Sequence, residues 1–191
     1  NGYMWIGTSD GLNLSDGKYY RQYFYVPGDS SSLAGNQIEF LFKDSWNRIW
    51  IGTESGVCQY VGDGKFKTIP IPQKYGKTFQ IIENSQKEIF FVTSEALLLY
   101  DKSVNHCEEV LRYSACGYNT LKFFIDKDDN FWEITIPSIR CYTRQFKEVF
   151  TLPNSAALNI VNAIIKDNCI WSAGGNGLLE YDISNRMTTI I

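Results

Sequence analysis

One short phrase recurs five times along this chain: an aromatic residue inside a β-rich run, a small-residue turn, then an apolar or tyrosine-bearing run. The clearest copies are Trp5-Ile6-Gly7-Thr8-Ser9-Asp10-Gly11-Leu12 and Trp50-Ile51-Gly52-Thr53-Glu54-Ser55-Gly56-Val57. Weaker copies centre on Phe90, Trp132 and Trp171, so the five aromatics stand 45, 40, 42 and 39 residues apart. A tyrosine follows ten residues after the aromatic in four of the five: Tyr60, Tyr100, Tyr142 and Tyr181. A period near 40 residues with strand-like composition suits one four-stranded antiparallel sheet per repeat, and stacked sheets of that kind make a β-propeller. The expected fold is therefore all-β.

The second repeat shows the frame. Ile38-Glu39-Phe40-Leu41-Phe42 reads as a first strand, Ile49-Trp50-Ile51-Gly52-Thr53 as a second, Val57-Cys58-Gln59-Tyr60 as a third and Lys65-Phe66-Lys67-Thr68-Ile69 as a fourth. Clusters of Gly, Asp, Asn and Ser separate them, the signal for consecutive hairpins. Repeat units are expected at about 1–34, 35–76, 77–118, 119–156 and 157–191. The first lacks its opening strand, so the chain holds about four and three-quarter blades, and a propeller hides its edges by closing a ring. Either the chain is a complete small propeller with an odd first blade or more blades lie outside it; opening at Asn1 in mid-repeat, it reads as a piece of a longer protein, and the second is expected.

Aromatics are 15% of the 191 residues, which favours strands over helices. The net charge is −3, so no basic field exists to attract a phosphate backbone, and nucleic-acid binding is not expected. No apolar run approaches the ~18–20 residues needed to cross a bilayer as a helix. The cysteines Cys58, Cys107, Cys116, Cys141 and Cys169 are odd in number and scattered, unlike a disulfide framework. They read as small buried side chains, although Cys107 and Cys116 could bridge a loop in an oxidising compartment.

These residues resemble the two-component regulator propeller repeat. The second unit matches its pattern from Asn36 through Ile38, Asp44, Asn47, Ile49-Trp50-Ile51-Gly52-Thr53, Gly56 and Tyr60, and the first unit from Trp5 through Thr8 and Gly11-Leu12. The later units are degenerate: Phe91-Val92-Thr93 and Ile134-Thr135 lack the glycine, and Ser172-Ala173-Gly174 is rearranged. Similar repeats form the extracytoplasmic sensor region of hybrid two-component histidine kinases of the Bacteroides type. The resemblance implies a seven-bladed ring, a periplasmic location and an oligosaccharide ligand. It also implies a homodimeric parent protein whose transmembrane helix and kinase lie outside these residues.

Candidate binding residues are few. Trp46 occupies a turn where that family prefers small polar residues, and an exposed indole beside Asn47 and Arg48 could stack on a sugar while its neighbours take hydroxyls. The plainer reading, which is favoured, is a surface indole covering a neighbouring blade or a second domain. Arg140 is a further candidate contact. Trp5, Trp50, Trp132 and Trp171 read as packing, and Gly7 and Gly52 as sites of close approach. No cofactor or metal is expected. Asp126-Lys127-Asp128-Asp129-Asn130 starts like a calcium loop but lacks its Gly and closing Glu, so it reads as an acidic hairpin turn. His106, the single histidine, has only Cys107 beside it as a zinc ligand.

Catalysis is hard to build from this chain. One histidine leaves little room for a Ser-His-Asp triad. Glu108 and Glu109 are adjacent and would point opposite ways on a strand, while Glu133 and Glu180 cannot be paired from sequence. Gly174-Gly175-Asn176-Gly177 lacks the Lys-Ser/Thr of a phosphate loop. The expected activity is ligand sensing without a covalent step. A glycan-active propeller enzyme and a protein-interaction scaffold are the alternatives.

Overall fold

A computed structural model describes residues 2–113, 122–135, 138–153, 162–166, 169–174, 177–185 and 187–190. Expected features at Cys116, Leu121, Val161, Asp167-Asn168 and Gly175-Asn176 lie outside these residues. The strands form five sheets, all with antiparallel pairing wherever the register is defined. Sheet one holds β1 (Met4–Thr8), β2 (Gly11–Ser15) and β3 (Tyr20–Tyr23). Sheet two holds β4 (Ile38–Lys43), β5 (Ile49–Thr53), β6 (Gly56–Gly62) and β7 (Lys65–Thr68). Sheet three holds β8 (Thr78–Glu83), β9 (Ile89–Thr93), β10 (Ala96–Asp101) and β11 (His106–Arg112). Sheet four holds β12 (Lys122–Ile125), β13 (Phe131–Ile134), β14 (Ser138–Tyr142) and β15 (Glu148–Pro153). Sheet five holds β16 (Asn162–Lys166), β17 (Cys169–Gly174), β18 (Gly177–Asp182) and β19 (Met187–Ile190). Each is a meander, with chain neighbours paired in space. A 3-10 turn at Gln73–Tyr75 follows Pro72. No helix among the described residues is long and apolar enough to cross a membrane.

The turns explain the repeated polar residues. Between the first two strands of sheet two, Asp44 Oδ1 accepts the backbone N–H of Trp46 at 3.0 Å and of Arg48 at 2.9 Å. That bonding holds Asn47 at φ 62°, a left-handed conformation that asparagine tolerates. Asn84 does the same in sheet three, accepting from Gln86 and Glu88, with Lys87 at φ 67°. Asp126 does it in sheet four, accepting from Asp128 and Asn130, with Asp129 at φ 60°. The next turn is closed by the threonine of the repeated phrase. Thr8, Thr53, Thr93 and Thr135 each donate a hydroxyl to the carbonyl three residues on, at 2.8–2.9 Å.

The described chain divides into two compact units, Asn1–Ile81 with Ile89–Glu109, and Ile82–Glu88 with Val110–Ile191. In the first unit sheet two is buried on both faces. Trp50 and Val57 join a core with Ile81, Phe91, Leu98 and Tyr100, while their chain neighbours Ile51 and Cys58 join another with Leu12, Tyr23, Leu33 and Phe66. Successive strand residues face opposite sides, so a strand with two cores must be apolar at consecutive positions. This is why the run reads Ile-Trp-Ile. At ~25 cal/mol per Å2 of apolar surface, burying side chains of this size contributes about 1.5–3 kcal/mol each. The two repeated glycines serve different contacts. A Cβ on Gly7 would lie 2.5 Å from Ile38 of the neighbouring sheet, whereas one on Gly52 would lie 2.1 Å from the ring of Phe40, its partner in the same sheet.

The second unit has a core of Trp132, Ile134, Ile139, Cys141, Ile170 and Tyr181. Two of its turns are tied together where Asp129 accepts from the Ser85 backbone at 3.0 Å and from its hydroxyl at 2.5 Å.

Candidate functional site

In the first unit, sheets one and two flank an open groove of about 850 Å3, within the size range of small-molecule sites. Its walls are two cross-strand rows. Trp5, Leu14 and Arg21 are direct partners across β1, β2 and β3, and cross-strand partners share a face. Opposite them, Lys43 and Ile49 are partners across β4 and β5. Trp5 meets Tyr60 of β6 edge-on, with ring centroids 4.9 Å apart, where the two sheets approach. Tyr3, Tyr19 and Tyr20 line the mouth, each about two-thirds exposed. Asp16 and Asn47 complete the lining.

Such a surface mixes flat aromatic faces with hydrogen-bonding heads. Aromatic rings cover the apolar C–H faces of a sugar, and the polar heads take hydroxyls. Asp16 is preorganised. Its Oδ1 accepts backbone N–H groups of Lys18 at 2.9 Å and Tyr19 at 2.7 Å, and the Tyr19 and Lys18 donors hold its carboxyl below the usual carboxylate range.

The four candidate contacts from sequence are distributed unequally. Asn47 lines the groove. Trp46, the preceding residue, is 67% exposed, and its indole has no hydrogen-bonding or ring-stacking partner among the described residues. Arg48 is engaged elsewhere: its Nε donates to Asp44 Oδ2 at 2.5 Å, and its guanidinium lies 5.4 Å from the centre of the Trp50 ring. Asp44 also accepts Trp50 Nε1–H at 2.8 Å. Burial disfavours the Asp44 charge, but the Trp50 and Arg48 donors outweigh it and keep the carboxyl below its ordinary range.

Arg140 belongs to a separate cluster in the second unit. It is the cross-strand partner of Glu133, and its Nη1 lies 3.6 Å from Glu133 Oε2. Tyr142 donates its hydroxyl to the same oxygen at 2.6 Å. Burial and the Glu133 carboxylate push the Tyr142 phenol well above its ordinary range, so it stays a donor. Glu133 is thus paired within its own sheet, and Glu180 stands on β18 in another. The repeated tryptophans also divide: Trp50 and Trp132 are buried, whereas Trp5 is half-buried on the groove wall. Asp126 is spent on its turn and on Trp132 Nε1–H at 2.9 Å. Among the described residues no three His, Cys, Asp or Glu side chains converge to hold a metal. Cys58 and Cys107 are buried free thiols whose burial pushes them up to about 11.

Tyr3, Arg21 and Lys43 were not singled out by the sequence. Tyr3 precedes β1, Arg21 lies on β3 and Lys43 ends β4, and the register of β1–β3 and β4–β5 brings these segments to one groove.

The arrangement of the sheets has clear relatives. The extracellular domain described as that of a hybrid two component system from B. thetaiotaomicron superposes on this chain with a TM-score of 0.73 at 19% identity, covering 100% of this chain and 27% of that one. Virginiamycin B lyase from Staphylococcus aureus superposes with a TM-score of 0.71 at 16% identity, covering 98% of this chain and 65% of the lyase. These likenesses establish the fold class: an all-β propeller architecture of antiparallel sheets. The particular repeat follows from sequence. The Two component regulator propeller family profile matches residues 32–55, the segment that runs from Ser32 into β5 and the turn after it. Histidine kinase P4 of Formosa agariphila is 28% identical over 193 residues, covering 98% of this chain and 12% of the kinase. The chain thus spans 12% of the kinase's length and 27% of the extracellular domain's.

Proposed function

We propose that this chain is a ligand-sensing propeller segment from the periplasmic region of a hybrid two-component histidine kinase, and that its ligand is an oligosaccharide. The observation that carries the reading is the match of this whole chain to 27% of an extracellular domain of a hybrid two component system, together with the regulator-propeller repeat at residues 32–55. The aromatic groove supplies a place for the sugar: Tyr3, Tyr19, Tyr20 and Trp5 offer stacking faces, and Asn47 offers an amide. The segment contributes binding and no bond-breaking step. Occupancy favours one arrangement of paired sensor subunits, and the bias crosses the membrane through a helix elsewhere in the parent protein. A ligand shifts such an equilibrium only by its differential affinity for the two states, about 10⁴-fold for a shift from 1:99 to 99:1.

A second reading is a propeller enzyme acting on glycans, favoured by the likeness to a lyase and by the Glu133–Tyr142–Arg140 cluster. One experiment separates them: a thermal-shift screen of the full-length protein against an oligosaccharide panel, with chromatography of the sugars afterwards. A binder of the native state adds about 2.7 kcal/mol at a hundredfold excess over Kd. A selective shift with intact sugar is the expected result. Cleaved sugar would favour the enzyme, and no shift across the panel would favour an interaction scaffold.

A further inference from the structure

The charged groups that border the groove are not balanced. Three of its lining residues are charged: Asp16, Arg21 and Lys43. The Asp16 carboxylate is committed to the backbone N–H groups of its own turn. Arg21 and Lys43 form no ion pair among the described residues, whereas Arg48, Lys77, Arg140 and Arg144 each approach a carboxylate. Two residues along β3 from Arg21 stands Tyr23, a neutral neighbour whose hydroxyl makes no hydrogen bond among the described residues. A third cation, Lys18, sits 5.2 Å from the centre of the Tyr19 ring at the mouth. This local excess of positive charge occurs on a chain of net charge −3, so nonspecific attraction of anions by the whole protein does not account for it.

The placement of the two free cations matters more than their number. Arg21 ends the row that begins at Trp5, and Lys43 stands at the end of β4 beside Ile49 on the facing wall. An oligosaccharide stacked along the aromatic faces would therefore present its substituents to a cation on either side. Arginine grips carboxylate and sulfate in a bidentate fork, and lysine adds a point charge.

We propose that the groove selects oligosaccharides carrying anionic substituents, uronate carboxylates or sulfate esters, over neutral ones, through Arg21 and Lys43 acting from opposite walls. This rests on the oligosaccharide reading above and narrows it to a chemical class.

The test is calorimetric titration of the full-length protein with three probes: tetragalacturonate, a sulfated galactan tetrasaccharide and cellotetraose. An anionic probe is expected to bind about four- to twenty-five-fold more tightly than cellotetraose, since each exposed ion pair is worth roughly a two- to fivefold change in affinity. Which anionic probe binds distinguishes carboxylate from sulfate. Arg21→Gln and Lys43→Gln, both at exposed positions, should each weaken that probe by a larger factor than they weaken cellotetraose. Raising salt from about 50 to about 500 mM should weaken the anionic probe alone. Equal affinity for neutral and anionic probes, or anionic binding that survives both substitutions, would overturn the charge selection and leave the oligosaccharide reading standing. Binding of no probe, or binding unchanged by Tyr20→Ala, would remove the groove as a sugar site and this inference with it.

Discussion

Trp50 of sheet two meets Tyr100 of sheet three edge-on, with ring centroids 5.6 Å apart and planes at 86°. The same partnership joins Trp5 to Tyr60 at 4.9 Å and Trp132 to Tyr181 at 6.3 Å. In each case the tryptophan of one sheet receives the tyrosine of the next. Tyr60, Tyr100 and Tyr181, each ten residues after the aromatic of its own sheet, are thus the reach of one sheet back to its predecessor. Tyr142 occupies the corresponding position in sheet four and donates to Glu133 instead. Tyr100→Ala should cost about 3–5 kcal/mol, the usual price of emptying a buried aromatic site, whereas Tyr100→Phe should cost much less. Urea unfolding of the two variants checks this, and similar losses in both would show that the hydroxyl, rather than the ring, carries the contact.

A second expectation concerns the turn beneath that tryptophan. Asp stands six residues before Trp at Asp44 and Asp126, but Asn84 stands before Phe90, which has no N–H to give. Asp44→Asn should cost about 1–3 kcal/mol, because both carboxylate oxygens accept hydrogen bonds and the amide NH2 that replaces one of them is a donor facing donors. Combining it with Trp50→Phe should recover part of that loss. A double-mutant cycle in urea measures the coupling, and strict additivity would contradict the pairing.

Acid should unfold the protein through the same carboxylates. Burial raises Asp44 and Asp129, but Trp50 and Arg48 in one case and Ser85 in the other outweigh it, and both stay below the ordinary value. The folded state therefore holds these protons more weakly than the unfolded state. Their contribution is complete above about pH 4, where the unfolded carboxyls are ionised, and is lost as pH falls through the lower folded values. Urea midpoints measured from neutral pH down to about pH 3 should decline below pH 4, and less steeply in Asp44→Asn.

Gly52 gives a steric test. A Cβ there would sit 2.1 Å from the Phe40 ring, so Gly52→Ala should destabilise by about 1–3 kcal/mol, and Phe40→Leu in the same chain should relieve part of it. Melting temperatures of the single and double variants report the relief, and independent losses would mean that the ring does not occupy this space.

The strands were readable because their aromatic period is imposed by packing: sheet two is buried on both faces, and its run Ile49-Trp50-Ile51 is apolar at consecutive positions. The turns were readable as turns, but their internal chemistry was not. Asp44 looked like one polar residue among five, although its carboxylate organises Trp46, Arg48 and Trp50. Local pattern also drew attention to Trp46, Asn47 and Arg48 together. The structure separates them, with Asn47 on the groove, Trp46 in solvent and Arg48 held by Asp44. Tyr3, Arg21 and Lys43 left no local trace, because what makes them neighbours is strand register between distant segments. The pairing of Glu133 with Arg140 is also a matter of register, fixed by the short connection between β13 and β14.

The central claim is that an oligosaccharide occupies the groove between sheets one and two. Hydrogen–deuterium exchange of the full-length protein, with and without the oligosaccharide that gives the largest thermal shift, tests it most directly. Slower exchange is predicted in the backbone around Tyr3–Trp5, Leu14–Arg21 and Lys43–Ile49, the segments that line the groove. Protection confined to other segments, with these three unchanged, would contradict the account.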